Sequence, residues 1–274
     1  MKRFVAFLDI LGFKDIVENR EHTALIELIK TFKSAVDQSN SLHLTKDLND
    51  KVSLVNYITF SDSIVLYTDG MESYDFFRLV HAVKILIGCS LGGGTPLRGS
   101  IAHGDFYADK TNNIFVGKAL VTAYQNEGKQ QWAGAYICDQ TIDFILSSYP
   151  DILDKLKNYA YLIEYEIPFK SNINMESKNR FAINWANTPL NGPLHLEKLI
   201  STGYAFLSTQ FDAAYQKVEK DASLTLEDKA TQQFYVNTQE VPQDILEKWE
   251  NTITFYNIVK DKGTCPIMYA KSME

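Results

Sequence analysis

The residue patterns predict an α+β protein built around an antiparallel sheet, with helices added at the C-terminal end. Three observations carry this. Short runs rich in β-branched and aromatic residues alternate with 3.6-period segments in the order strand, helix, helix, hairpin, helix, strand, helix. Two consecutive runs, Val52 to Ile58 and Ile64 to Tyr67, are separated only by Thr59-Phe60-Ser61-Asp62-Ser63, a connection too short for anything but an antiparallel hairpin. The composition is 45% hydrophobic and 22% charged over 274 residues, with 14 Gly and 7 Pro, which supplies a substantial core and no low-complexity tract.

Taken in order, Phe4 to Leu8 is a compact apolar run ending in Asp9-Ile10-Leu11-Gly12-Phe13, which reads as a buried strand stopping at a turn. From Lys14 to about Leu48 the apolar residues Ile26, Ile29, Phe32 and Val36 recur at spacings of three and four, which fits a short helix and a long one. The hairpin follows, with Asp62 near its tip. Phe76 to Ile87 is amphipathic and is expected to stop at Gly88. After Gly92-Gly93-Gly94-Thr95-Pro96 a strand runs from Leu97 to Ile101 and on toward Tyr107, a turn covers Asp109 to Asn113, and Val116 to Glu127 is helical. Beyond Gly134 the pattern predicts a strand at Ala135 to Cys138, a helix to about Ser148, and strands at Tyr161 to Ile167 and Phe181 to Trp185. Two helices close the chain, Leu196 to Val218 and about Gln243 to Val259.

Charge and motif content exclude several functions. A net charge of -7 argues against a protein whose task is to neutralise nucleic-acid phosphates. Cys89, Cys138 and Cys265 lie far apart, so neither a disulfide framework nor a zinc cage is suggested. No apolar run approaches the roughly 20 residues of a membrane span, and Asp9 interrupts what would otherwise resemble a signal peptide, so a cytoplasmic protein is expected. Gly117-Lys118 lacks the rest of a P-loop, the histidines form no metal-binding pair, and there is no G-x-S-x-G elbow.

Two carboxylates remain. Asp9 ends the first strand and Asp62 lies at the hairpin tip. Singly, each reads equally well as a helix cap or as turn chemistry. If their strands are neighbours in an antiparallel sheet, both meet at one edge, where hard oxygen ligands suit Mg²⁺ or Mn²⁺. Two such ions about 4 Å apart would clamp an in-line phosphoryl transfer.

These residues resemble the class III nucleotidyl cyclases. Phe7-Leu8-Asp9-Ile10-Leu11-Gly12-Phe13 matches the family pattern F-x-D-I-x-G-F in full. Phe60-Ser61-Asp62-Ser63 resembles the hairpin carrying the second metal aspartate, with Ser61 where Gly is usual. Arg98 to Gly104 resembles the R-x-G-I-H-x-G strand, and Gly117 to Glu127 resembles the G-x-x-V-N-x-A-x-R-L-E helix. The resemblance implies a palm-like, ferredoxin-like βααββαβ core in residues 1–170, with a C-terminal strand and helical extension in 171–274 packed on the core or a dimer interface. It implies two divalent ions, Mn²⁺ or Mg²⁺, on Asp9 and Asp62 with the Ile10 carbonyl as a further ligand. The amides of Gly12 and Phe13 would bind the triphosphate, with Lys170 or Arg98 as a cationic partner.

Two departures narrow the reading. The family's transition-state Asn and Arg fall on Val121 and Gln125, and the purine-selecting residue falls on Ile58. Together with Ile58 to Val65, Gly117 to Val121, Ile167 to Lys170 and Ala182 to Trp185, they resemble the pyrimidine cyclases of bacterial Pycsar anti-phage systems. That resemblance implies a uridylate cyclase acting as a head-to-tail homodimer, whose cyclic UMP is read by a separate effector protein. It involves no nucleic acid and no membrane. Cytidylate cyclase activity and a catalytically inactive nucleotide-binding module are the alternatives, with a purine cyclase of relocated specificity a third. Asn56 and Tyr57 are the candidates for facing the base, since an amide can bond a pyrimidine edge and a ring can exclude a purine.

Overall fold

The computed structural model describes residues 1–19, 21–41, 54–188, 192–193, 243–260 and 262. The first seven elements are β1 (Lys2–Ile10), α1 (Phe13–Asn19), α2 (His22–Ser41), β2 (Asn56–Phe60), β3 (Ser63–Tyr67), α3 (Ser73–Gly92) and β4 (Leu97–Asp105). This is the expected βααββαβ order. A small hairpin follows, β5 (Tyr107–Asp109) and β6 (Ile114–Val116), then α4 (Lys118–Glu127), β7 (Gly134–Ile137), α5 (Asp139–Ser148), α6 (Pro150–Asn158), β8 (Leu162–Glu166), β9 (Asn179–Ile183) and a closing helix, α7 (Gln243–Val259). The helix expected over Leu196 to Val218 lies outside the described residues.

Seven strands form one sheet in the order β2-β3-β1-β4-β7-β9-β8. All neighbours are antiparallel except β4 and β7, which run parallel because α4 carries the chain back across the sheet between them. β9 lies inside this sheet, so the sheet continues past the boundary expected at residue 170. The central strand β1 reads Phe4-Val5-Ala6-Phe7-Leu8, a continuous apolar run, because helices cover it on both faces. Phe4, Ala6, Leu8 and Ile10 enter the main core with α2, α3 and α5, whereas Val5 and Phe7 pack beneath α4. Gly99 on β4 allows this close packing: a Cβ there would meet the Phe7 carbonyl at 2.6 Å.

Two helix boundaries differ from expectation. α3 runs through Gly88 and ends only at Gly93, whose amide reaches the Cys89 carbonyl at 2.9 Å. Burial of Ile85, Leu86, Ile87 and Leu91 outweighs the roughly 1 kcal/mol that glycine costs inside a helix. A second short helix, α6, begins at Pro150, where proline occupies a first-turn position that needs no amide donor.

Candidate active site

Asp9 is the penultimate residue of β1. Alternation puts it on the same face as Val5 and Phe7, the α4 side, away from the main core. Its partners across the sheet are Ser63 on β3 and Arg98 on β4. The Ile10 amide donates to the Asp62 carbonyl at 3.0 Å, which pins the β2–β3 turn to the end of β1. Asp9 and Asp62 are therefore neighbours at one edge, and the negative charge of Asp62 acts directly on Asp9. Ser61 completes the turn in the left-handed region, at φ 57°.

The Ile10 side chain is buried in the core, so this residue can serve a ligand only through its backbone. Gly12 follows in the left-handed region at φ 69°, where glycine carries no Cβ penalty, and its carbonyl accepts from Ile16 at 3.1 Å to open α1. Phe13 packs its ring against the core while its amide stays in the first turn of the helix.

Arg98 is buried beside this edge. Its Nε donates to the Glu127 carboxylate at the end of α4, and its Nη1 donates to the Gln130 carbonyl at 3.1 Å. The Lys170 amide donates to the Lys129 carbonyl at 2.9 Å, and its ammonium acts on both Asp9 and Glu127. Asp9, Asp62, Glu127, Arg98 and Lys170 thus form one charged group. Burial, the nearby Glu127 and then Asp62 push the Asp9 carboxyl up to about 7, against the opposing pull of Arg98 and Lys170. Burial also raises Glu127, with Arg98 opposing it.

Glu127 had no role in the sequence reading. Its signal was present as the last residue of the helix motif, but only the buried pairing with Arg98 shows what it does. Asn56 and Tyr57 lie on opposite faces of β2, with Asn56 on the face of Ile58 and Asp9. Asn56 sits at the far end of the hairpin opposite Tyr67, where its amide bonds the Tyr67 carbonyl, Asp69 and Lys110. Tyr57 projects to the opposite face of the sheet and packs, partly buried, against the main core. Ile58 does share the Asp9 face, in an apolar group with Val5, Tyr67, Phe106 and Ala119. Val121 and Gln125 lie on the solvent side of α4, while Ala119, Ala123 and Glu127 face inward.

The donor set fits a divalent cation. Asp9 and Asp62 supply hard carboxylate oxygens, and the raised Asp9 marks a carboxylate whose ionised form lacks sufficient compensation until a cation arrives. Among the described residues no group of three or more His, Cys, Asp or Glu side chains gathers at metal-binding spacing, so such a site would rest on two carboxylates and backbone oxygen. No described helix is long and apolar enough to cross a membrane.

No protein-family profile and no curated protein matches the sequence. Among solved structures, the adenylyl cyclase CyaB from P. aeruginosa is similar over 66% of this chain and 93% of its own, at 13% identity and a TM-score of 0.41. A bacterial light-regulated adenylyl cyclase is similar over 75% of this chain and 98% of its own, at 12% identity and a TM-score of 0.41. The catalytic core of a rhodopsin-guanylyl cyclase with converted specificity, in complex with ATPalphaS, covers 66% and 94%, at 14% identity and 0.41. At these identities nothing about substrate transfers to this chain.

Proposed function

We propose that this chain is a metal-dependent nucleotide cyclase that converts UTP to cyclic 3′,5′-UMP and pyrophosphate. The observation that carries the reading is the juxtaposition of Asp9 and Asp62, joined by the Ile10 amide to Asp62 carbonyl bond at 3.0 Å, beside the buried Arg98 and the part-exposed Lys170. The 3′-hydroxyl oxygen bonds to the α-phosphorus of the same nucleotide while the bond from that phosphorus to the oxygen bridging the β-phosphate breaks. Pyrophosphate leaves with the bond pair, and the hydroxyl proton passes to water or a carboxylate. Asp9 and Asp62, with the Ile10 carbonyl, would hold two divalent ions, Mn²⁺ or Mg²⁺, which when bound would supply acidification of the hydroxyl and neutralisation of the leaving pyrophosphate. The Gly12 and Phe13 amides and Lys170 orient the triphosphate, with Arg98, anchored by Glu127, as a second cationic candidate.

Pyrimidine preference is supported by Ile58, whose apolar surroundings offer no polar reader for a purine edge, together with the sequence resemblance to the anti-phage pyrimidine cyclases. On that resemblance cyclic UMP serves as a defence signal read by a separate effector, with cyclic CMP from CTP the alternative product. A second reading, an inactive nucleotide-binding module, is favoured by the outward placement of Val121 and Gln125, which puts no phosphate donor from α4 into this chain's own site.

The test is incubation of purified protein with ATP, GTP, CTP and UTP and either Mn²⁺ or Mg²⁺, with mass detection of cyclic products. Wild type is expected to make a cyclic pyrimidine nucleotide, and Asp62→Ala to lose at least about a hundredfold in rate. Cyclic purine as the main product would overturn the specificity, and equal rates in the two proteins would overturn the mechanism.

A further inference from the structure

We propose that Lys248, on the C-terminal helix α7, is a polyphosphate-binding residue that completes the site opened by the Leu11-Gly12 turn. The inference deepens the cyclase reading and rests on it for the identity of the anion, the triphosphate of the nucleotide. A cleft of about 160 Å³ lies between that turn and α7, lined by Leu11, Gly12, Pro96 and Ala133 from the core and, from the helix, by residues that include Asp244 and Lys248. The same Gly12 opens the α1 turn beside Asp9, so the cleft adjoins the metal edge.

The helix is fastened to the core at this point. The Gln131 side-chain amide donates to the Asp244 carbonyl at 2.6 Å, the Asn251 amide donates to the Gln131 carbonyl at 2.8 Å, and the Ala133 amide donates to Thr252 Oγ1 at 2.8 Å. Trp249 is buried next to Lys248. The stem of Lys248 is therefore held in place, with its side chain 23% exposed, and among the described residues its ammonium pairs with the more exposed Asp244 carboxylate, at 3.4 Å. A weak pair of this kind is readily exchanged for a better anion.

The charges around it point to the same ligand. Burial lowers Lys170, and the like charges of Arg98 and Lys248 lower it further, while Glu127 and Asp244 oppose them. Arg98 and Lys248 thus both lie close enough to act on Lys170. Glu127 is taken by Arg98 and Asp9 lies at the end of β1, while Lys248 lines the cleft and acts, with Asp244, on Lys170 nearby. Each ammonium is a compact point charge suited to a phosphate oxygen.

The probe is inorganic tripolyphosphate with Mn²⁺, titrated calorimetrically into the full-length chain. Lys248→Gln is expected to weaken binding about tenfold, the loss of one charge-assisted hydrogen bond, and Lys248→Arg to restore most of it. Asp244→Asn removes the competing carboxylate and is expected to tighten binding, so the proposal stays falsifiable if one variant folds poorly. Unchanged binding in Lys248→Gln, weakened binding in Asp244→Asn, or no binding by the wild type would each overturn it. The two proposals fail separately. If wild type binds tripolyphosphate, Lys248→Gln loses it, and no triphosphate is cyclised, the cyclase reading fails and the anion site stands. If cyclic product forms with the same KM in both proteins, the role of Lys248 fails and the cyclase stands.

Discussion

Asp9 is held among groups that oppose its ionisation: a half-buried environment, Glu127 behind it and Asp62 beside it. In metal-free protein such a carboxylate destabilises the fold at alkaline pH, because its folded value of about 7 lies above the ordinary 3.8 and the folded chain gives up its proton late. Asp9→Asn is therefore expected to raise metal-free stability at pH 8 by about 1 kcal/mol, discounted for its partial exposure, or about 2–4 °C in Tm, while abolishing cyclisation. Calorimetry in chelator checks this, and a lower Tm in Asp9→Asn would contradict it. His81 on α3 shows the opposite sign. Burial, then Arg78 and Lys84, lower it to about 3, and its Nδ1 lies 3.1 Å from the Tyr161 hydroxyl. Below about 6.5 the unfolded chain binds a proton that the folded chain refuses, so stability is complete above that pH and declines by about 1.4 kcal/mol per pH unit on acidification toward 3. Urea unfolding at pH 7.5 and 5.0 measures the decline, which His81→Gln should flatten.

At the scale of elements, the site depends on how β1, the β2–β3 hairpin and β4 are registered. β1 pairs with β3 from Val5 to Asp9 and with β4 from Lys2 to Ile10, so Asp9 meets Ser63 on one side and Arg98 on the other. The hairpin turn carries a cost, since Ser61 adopts φ 57° where a side chain is disfavoured. Ser61→Gly relieves that strain and is expected to stabilise the protein by about 1 kcal/mol without lowering activity, as read by thermal melting and product formation. A fall in activity with unchanged stability would instead assign the Ser61 side chain a role in the site. The hairpin and the Asp9 turn were legible because short-range chemistry writes them: a continuous apolar run, an interrupted pair of strands, a glycine at the turn. The end of α3 was not. Gly88 carries a stop signal locally, and only the packing of Leu91 on the core explains why the helix continues.

For the whole molecule, the open side of the sheet near Asp9 is bordered by exposed apolar side chains. Phe60 is 82% exposed, Val121 51% and Tyr124 58%. Phe60 follows the alternation of Ile58 onto the α4 face, and Tyr124 packs edge-on against Phe7 with ring centroids 5.2 Å apart. Exposed apolar side chains flanking a site suit a protein partner, and the head-to-tail homodimer expected from the family resemblance would cover them. Sedimentation velocity is expected to show a dimer, and a Phe60→Asp, Tyr124→Asp double substitution to shift it toward monomer and cut activity at least about tenfold. Activity per chain that stays constant on dilution through a fully monomeric range would sink the dimeric site.

The sequence by itself determined the order of the first seven elements, the apolar strand that carries Asp9 near its end, and the position of a second aspartate at a hairpin tip. These are periodicities and turn residues, and they act over a few positions. Only the tertiary structure decided which faces those residues share. It turned Tyr57 toward the core and set Asn56 at the far end of the hairpin, because alternation and strand length fix direction and distance together. It set Glu127 against Arg98, 29 residues apart, and laid α7 beside Gly12, because burial of Trp249, Phe255 and Val259 required the C-terminal helix to dock there. Charge proximity of that kind depends on contacts between distant segments, which no local pattern encodes.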